Sequence, residues 1–290
     1  MDARSNEKLN LDGHWSLTEA AFETIVRLMS AMGEPKQIVE YGSGPSTVRL
    51  AMAFPEAGIT SIDSDKQSFE STKALIDEFV KQSRIILRYR RLGFERYGSG
   101  EILSYQHEPL DDLPIDCVIV DGPPFYTLRG REACLYQTYS KIRVGGIVFL
   151  DDCYRESERI VVGNWLSVFP GSFRLEMIPV GHTLAVLRKV TSVEPRWNDP
   201  LKSRDSSFVS REYQEFKSAM LHMDEDAWRQ AWGENVVHMR HLLDAIYEAY
   251  GVAPEQVRAA ALSDSQLGLF GRWLLRRRSF KTLRRLLNPK

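Results

Sequence analysis

QIVEYGSGPST, residues 37–47, decides how the rest of the chain is read. Ile38 and Val39 are β-branched apolar residues that read as the end of a buried strand. The chain then turns through Gly42, Ser43 and Gly44 into Pro45-Ser46-Thr47-Val48, where a helix can start. Two glycines one residue apart permit a tight turn with no Cβ between the backbone and a ligand. Pro45 suits the first helical position, where its missing N–H is no loss. The order is strand, glycine turn, helix, and an anionic group can sit against free amides at such a turn.

Before this stretch, Leu17, Ala20, Ala21, Ile25, Leu28, Met29 and Met32 recur at helical spacing, with Ser16 as the N-cap and Gly33 and Pro35 as the stop. After it, residues 48–54 continue a helix and residues 58–63 (GITSID) form a short strand ending on an acid. Residues 66–80 are helical, and 84–89 (RIILRY) are a third strand. Strands alternating with helices imply parallel βαβ units. Residues 93–113 carry Gly93, Gly98, Gly100 and Pro109 and read as a loop with one short element. Residues 116–121 (DCVIVD) are a buried strand closed by Gly122-Pro123-Pro124, 128–142 a helix, and 146–150 (GIVFL) a buried strand running into Asp151-Asp152. A helix over 157–168 and a hairpin from 173–178 and 183–187 complete about seven strands, the last two antiparallel neighbours.

Past residue 190 the texture changes. Residues 191–208 form a polar linker containing Pro195 and Pro200, and 209–290 carry helix signals only. Trp228, Trp232, Val236, Met239, Leu243 and Tyr247 line one side of a helix over 224–250, closed by Gly251. This stripe reads as core or as a contact between copies of the chain.

The 290 residues are 43% hydrophobic and 27% charged, an ordinary globular composition. No run of about 18 apolar residues occurs. The N-terminus lacks the apolar core of a signal peptide, so the cytoplasm is the expected location. Cys117, Cys134 and Cys153 are scattered without a CxxC spacing and read as buried thiols. Residues 272–290 carry eight Lys/Arg and no acid. Taking these from the chain's 38 basic residues leaves 30 against 39 acidic ones, a formal −9 on the body. Trp273, Phe280, Leu283 and Leu287 lie among those arginines, so 271–290 form a basic amphipathic helix suited to an anionic membrane surface, an anionic partner or the acidic body itself. Nucleic acid is disfavoured by the acidic body and the lack of an RNA-binding motif.

In an open parallel sheet, ligands bind beyond the carboxyl ends of the strands, and the acids fall there. Glu40 and the glycine turn follow the first strand, Asp63 the second, Asp121 the fourth, and Asp151-Asp152 the fifth. The 21-residue interval from Gly42 to Asp63 suits a carboxylate that accepts from a ribose diol, which points to a nucleoside-containing cofactor. A dinucleotide fingerprint would need glycine where Thr47 stands, so NAD is the weaker reading.

Glu40-x-Gly42-x-Gly44 with Asp63 downstream resembles the first motif and second-strand acid of class I S-adenosylmethionine-dependent methyltransferases, over residues 15–190. The resemblance implies an α/β fold: a Rossmann-like, seven-stranded, mostly parallel sheet with an antiparallel last strand, here within residues 1–190 and followed by an α-helical C-terminal region. It implies S-adenosylmethionine as cofactor, bound by Glu40, Gly42, Ser43, Gly44, Asp63, Ser64 and Asp121. VIVDGPP (118–124) and VGGIVFLDD (144–152) look like the metal-dependent O-methyltransferases, which implies Mg²⁺ or another divalent cation on Asp121, Asp151 and Asp152. Carboxylate oxygens suit a hard cation, and a metal-bound hydroxyl loses its proton more easily. Those enzymes place a lysine base where Gly122-Pro123-Pro124-Phe125 stands here. Catalytic deprotonation then falls to Asp121, Asp151 or the loop bearing Tyr126, Arg129 and Arg131, with His182 a further candidate. Arg129 and Arg131 could also clamp an anionic small-molecule substrate. The expected activity is O-methylation of a hydroxyl on a sugar or natural-product type molecule. A non-catalytic cofactor-binding interaction module, or a nicotinamide-dependent oxidoreductase, are the other classes the residues leave open.

Overall fold

A computed structural model describes residues 8–11, 17–81, 84–98, 100–124, 127 and 129–197. Its elements are α1 Glu19–Ser30, β1 Gln37–Tyr41, α2 Pro45–Ala53, β2 Gly58–Asp63, α3 Lys66–Phe79, β3 Arg84–Tyr89, β4 Leu92–Tyr97, β5 Gly100–Tyr105, β6 Ile115–Val120, α4 Gly130–Thr138, β7 Ile142–Leu150, α5 Glu156–Val168, β8 Phe173–Ile178 and β9 Leu184–Lys189. Runs in which every residue is buried make strands covered on both faces, as β2 and β6 are. Seven strands form one sheet in the order β3-β2-β1-β6-β7-β9-β8. β1, β2, β3, β6 and β7 pair in parallel. β9 runs antiparallel to both its neighbours, so the last strand alone opposes the rest. This is the Rossmann-like sheet the sequence led us to expect.

The strand order turns back at β1, whose neighbours are β2 on one side and β6 on the other. A crevice for ligands opens at such a switch point, beyond the strands' carboxyl ends. One face of the sheet is covered by α1, whose Ile25 and Met29 pack with Ile38, Ile59, Ile119, Ile147 and Phe149. On the other face α4 and α5 meet around Trp165, which is fully buried and donates its indole N–H to the Glu132 carbonyl at 2.8 Å.

Three details differ from the sequence reading. Thr18, rather than Ser16, caps α1, accepting from the Ala21 amide. β7 starts at Ile142, earlier than expected, because the strand runs through Gly145 at φ 86°. The stretch read as a loop holds an antiparallel hairpin, β4 and β5, whose register leaves two residues, Gly98 and Ser99, between the strands. Gly98 has φ 59°, the left-handed conformation a two-residue hairpin turn requires. The linker beyond residue 197, the helical region 209–290 with its aromatic stripe, and the basic tail 271–290 lie outside the described residues. No described helix is long and apolar enough to cross a membrane.

Asp116 ties the sheet's entrance together. Its Oδ2 accepts from the amides of Lys36 (2.7 Å) and Gln37 (3.0 Å), and its Oδ1 from Arg143. Burial alone would raise its proton affinity, but the Arg143 and amide bonds outweigh it and hold the carboxyl below the ordinary value of 3.8. The folded state therefore favours the ionised form. That stabilisation is present above the ordinary carboxylate range and is lost as pH falls through the depressed value. Asp116→Ala strands two amides and is expected to cost about 1–3 kcal/mol at neutral pH. The difference from wild type should shrink below about pH 3.8, as urea unfolding followed across pH will show.

Candidate functional site

The ends of β1 and β6 are joined through one carbonyl. Tyr41 O accepts from both the Asp121 amide (2.9 Å) and the Gly122 amide (2.7 Å). The backbones after the two strands then lie in contact. A Cβ on Gly42, which has φ 97°, would meet Gly122 N at 3.1 Å, and one on Gly122 would meet the Tyr105 hydroxyl at 2.2 Å. These two glycines are required by close approach. Gly44 differs, since an added Cβ there meets nothing within 4 Å.

Glu40 is 1% exposed, and its carboxylate accepts from Ser46 Oγ (2.7 Å), Thr47 Oγ1 (2.5 Å) and Ser61 Oγ (2.7 Å). Burial raises its proton affinity, and the three hydroxyls act against that rise. We had expected Glu40 among the cofactor contacts; it instead staples β1, α2 and β2 and shapes the turn from behind. Thr47 shares the work: its hydroxyl also accepts from the Gly44 amide at 3.1 Å. Asp63 Oδ2 accepts from the Ser43 amide (2.9 Å) and hydroxyl (2.7 Å), and Oδ1 from the Asp65 amide (2.8 Å). The amides of Ser43 and Gly44, expected to face an anion, are therefore satisfied from within. Ser64 follows directly on β2 at the same sheet edge.

Across the switch point lies a second group of charges. Arg131, near the start of α4 and 6% exposed, reaches Asp121 Oδ1 (3.4 Å), Asp152 Oδ2 (3.0 Å) and the carbonyls of Pro123 and Asp151 (both 3.3 Å). Asp152 Oδ2 also meets Arg155 at 2.8 Å, and its Oδ1 lies 3.3 Å from His182 Nδ1. His182 stands in the β8–β9 turn, which closes over the end of β7 through Cys153 N to Thr183 O (2.9 Å) and Tyr154 N to His182 O (3.0 Å). Asp152 and Thr183 both hold positive φ, 62° and 65°, where side chains are rarely found. Such strain collects at functional sites. Asp151 is 2% exposed and its Oδ1 has no hydrogen-bond partner.

The residues named from sequence thus sort themselves. Asp121, Asp151 and Asp152 do gather at one sheet edge, but with a guanidinium lodged among them. Arg131 serves internal carboxylates and cannot clamp a substrate, a correction that follows from its burial. Arg129 makes a two-armed contact with buried Glu132 (2.7 and 2.5 Å), so it too has an internal role. Tyr126 lies outside the described residues. Arg155 and Glu158 were missed; the three-residue spacing from Asp152 to Arg155 was a legible signal. The residues do not fit a divalent ion on Asp121, Asp151 and Asp152. Both oxygens of Asp152 and one of Asp121 are already engaged, two of these three by arginine. Asp151, Asp152 and His182 bring ligand atoms within 4.8 Å of one another, though the same two guanidiniums sit on Asp152.

No protein-family model matches the chain. Among solved structures it is similar to an O-methyltransferase from Bacillus cereus in complex with SAH, at 16% identity and TM-score 0.48, covering 65% of this chain and 92% of that one. It is similar to a methyltransferase-like protein from Silicibacter pomeroyi at 18% identity and TM-score 0.44, covering 67% and 95%. It is also similar to a putative caffeoyl-CoA O-methyltransferase from Staphylococcus aureus at 15% identity and TM-score 0.43, covering 58% and 82%. At this identity the function has to be read from the site's own residues.

Burial raises the proton affinity of Asp121 well above the ordinary 3.8; Arg131 opposes this, while Asp151 and Asp152 reinforce it. A carboxyl that holds its proton more tightly folded than unfolded destabilises the fold once pH rises above its unfolded value. Asp121→Asn removes that load. Relative to wild type, its melting temperature should be higher at pH 8 than near pH 3.5, a comparison that thermal melts at the two pH values will make.

Proposed function

We propose that the chain is an S-adenosylmethionine-dependent methyltransferase acting on a hydroxyl of a small molecule. The observation that carries this is the charge at the switch point. The glycine turn's Ser43 and Gly44 amides are taken by Asp63 and Thr47, while Asp63, Asp121 and Asp151 line the strand ends. A dinucleotide would bring a pyrophosphate dianion to this edge and find carboxylates in place of amides. A sulfonium cofactor brings a positive charge, which the same carboxylates favour.

In this reading Gly42, Ser43 and Gly44 pass beneath the cofactor, and the room above Gly44 admits it. Asp63 and Ser64 meet the ribose, whose hydroxyls replace the Ser43 hydroxyl on Asp63 Oδ2. Asp121 stands between cofactor and acceptor. The acceptor oxygen attacks the methyl carbon in line, the carbon–sulfur bond breaks as the oxygen–carbon bond forms, and the sulfonium charge is lost as the acceptor proton passes to Asp121 or Asp151. Buried carboxyls with raised proton affinity are matched to receiving that proton. The acceptor class, a sugar or natural-product hydroxyl, and a cytoplasmic location are proposed from sequence, as are membrane or anionic-partner contact through 271–290 and self-association through the C-terminal helices.

Calorimetric titration with S-adenosylmethionine tests the reading. We expect binding in wild type and a loss of roughly tenfold or more in Asp63→Ala, since a lost charge-assisted bond is worth about 1.5–3 kcal/mol. No heat in wild type, or equal affinity in Asp63→Ala, would sink it. Gly44→Ala should leave the melting temperature within about 2 °C of wild type, because its Cβ enters open space, yet weaken cofactor binding several-fold for the same reason. Unchanged cofactor affinity in that variant would remove the cofactor from above the turn.

A further inference from the structure

We propose that Arg131 is a resident counter-cation. Its guanidinium, lodged between Asp121 and Asp152, holds the place a divalent ion would need, and the site works without metal. The statement about turnover rests on the methyl-transfer reading; the statement about charge does not.

Four carboxylates converge here: Asp121, Asp151, Asp152 and Glu158. Glu158 is 2% exposed and lies 4.0 Å from Arg155. Buried carboxylates of like charge within one cluster must be neutralised by protons, by a metal or by fixed cations. Here fixed cations are in place. Arg131 spans the gap from Asp121 Oδ1 to Asp152 Oδ2, and Arg155 adds a second guanidinium on that same Asp152 oxygen. The remaining Asp152 oxygen faces His182 Nδ1. Arg131 cannot swing aside as a surface arginine would, since two backbone carbonyls, Pro123 and Asp151, also hold it.

What is left for an incoming ion is Asp151 Oδ1, which has no partner, and the Asp121 oxygen that Arg131 does not hold, beside an imidazole. Mg²⁺ takes about six hard oxygen ligands in a near-ideal octahedron, and an imidazole nitrogen suits it poorly. Any dication reaching Asp152 would also approach two guanidiniums about 3 Å from that carboxylate, in a buried place where salt does not screen the repulsion. Arginine differs from a metal in kind. It does not lose its proton and has no open coordination position, so it fixes Asp121 and Asp152 without activating an acceptor. Arg131 is in that sense a positioning residue, acting through the two carboxylates it joins.

The test uses the full chain after dialysis against chelator and reads Mn²⁺ by electron paramagnetic resonance. In wild type the signal should stay that of the free ion up to about 1 mM Mn²⁺, and S-adenosylhomocysteine affinity by calorimetry should change less than about twofold with chelator or Mg²⁺. Stoichiometric Mn²⁺ uptake by wild type that Asp151→Ala abolishes would overturn the proposal. Arg131→Met keeps an unbranched stem and removes the guanidinium with its charge. It should bind Mn²⁺ at least about tenfold more tightly than wild type, and adding Asp152→Asn should abolish the gain. A folded Arg131→Met protein that takes up no Mn²⁺ would also overturn it. Should Arg131→Met fail to fold, Arg131→Lys, which keeps the charge, is expected to fold and to exclude Mn²⁺ as wild type does; Mn²⁺ uptake by it counts against the proposal. Absence of any S-adenosylhomocysteine binding would sink the methyl-transfer reading alone, and the Mn²⁺ titrations would still decide the counter-cation.

Discussion

Four of the five parallel strands carry acids to one edge of the sheet, and each carboxylate there has to be reconciled with the others and with the loss of water. The solutions differ from strand to strand. Glu40 is satisfied by three hydroxyls, Asp63 by two amides and a hydroxyl. Asp121 and Asp152 share a guanidinium. Asp151 keeps an oxygen without a partner. This gradation, from fully satisfied on the β1–β2 side to under-satisfied on the β6–β7 side, divides the edge into a part that holds shape and a part suited to chemistry.

The glycine turn depends on this arrangement. Hydroxyls from α2 and β2 converge on Glu40, which holds the N-terminus of α2 against the sheet, while Tyr41 O binds the two amides that follow β6. The loops after β1 and β6 are thereby brought so close that only glycine fits at 42 and 122. A packed, internally bonded turn of this kind offers little to a phosphate. It offers a smooth surface and neighbouring negative charge, which is what a cationic, sulfonium-bearing nucleoside would use.

On the far side, the β8–β9 turn brings His182 over Asp152, and α4 and α5 bring Arg131 and Arg155 to the same oxygen. Positive φ at Asp152 and Thr183 indicates that the backbone is bent to make these contacts. A loop that only connected secondary structure would have no reason to carry that cost of about 1–3 kcal/mol per residue. The charge balance, more than the presence of carboxylates, separates this site from one built to hold a metal.

Residues 37–47 by themselves determined strand, turn and helix, because β-branching, glycine spacing and Pro45 act locally. The acids at 63, 121, 151 and 152 could be placed at one edge from periodicity, since parallel strands point the same way. Thr47 was read only for the glycine it lacks, and its work as a cap needed Glu40 and Gly44 to be seen beside it. The β4–β5 hairpin escaped the sequence reading because its strands, each carrying one glycine, gain their stability from pairing and from burying Ile102 and Tyr105. Gly98, at positive φ after β4, was a legible sign. Arg131 illustrates the limit most plainly. In sequence it is a loop arginine free to clamp a substrate; only the approach of α4 to the ends of β6 and β7 assigns it to Asp121 and Asp152, because the partner of a charge is set by distance in space, which spacing along the chain does not fix.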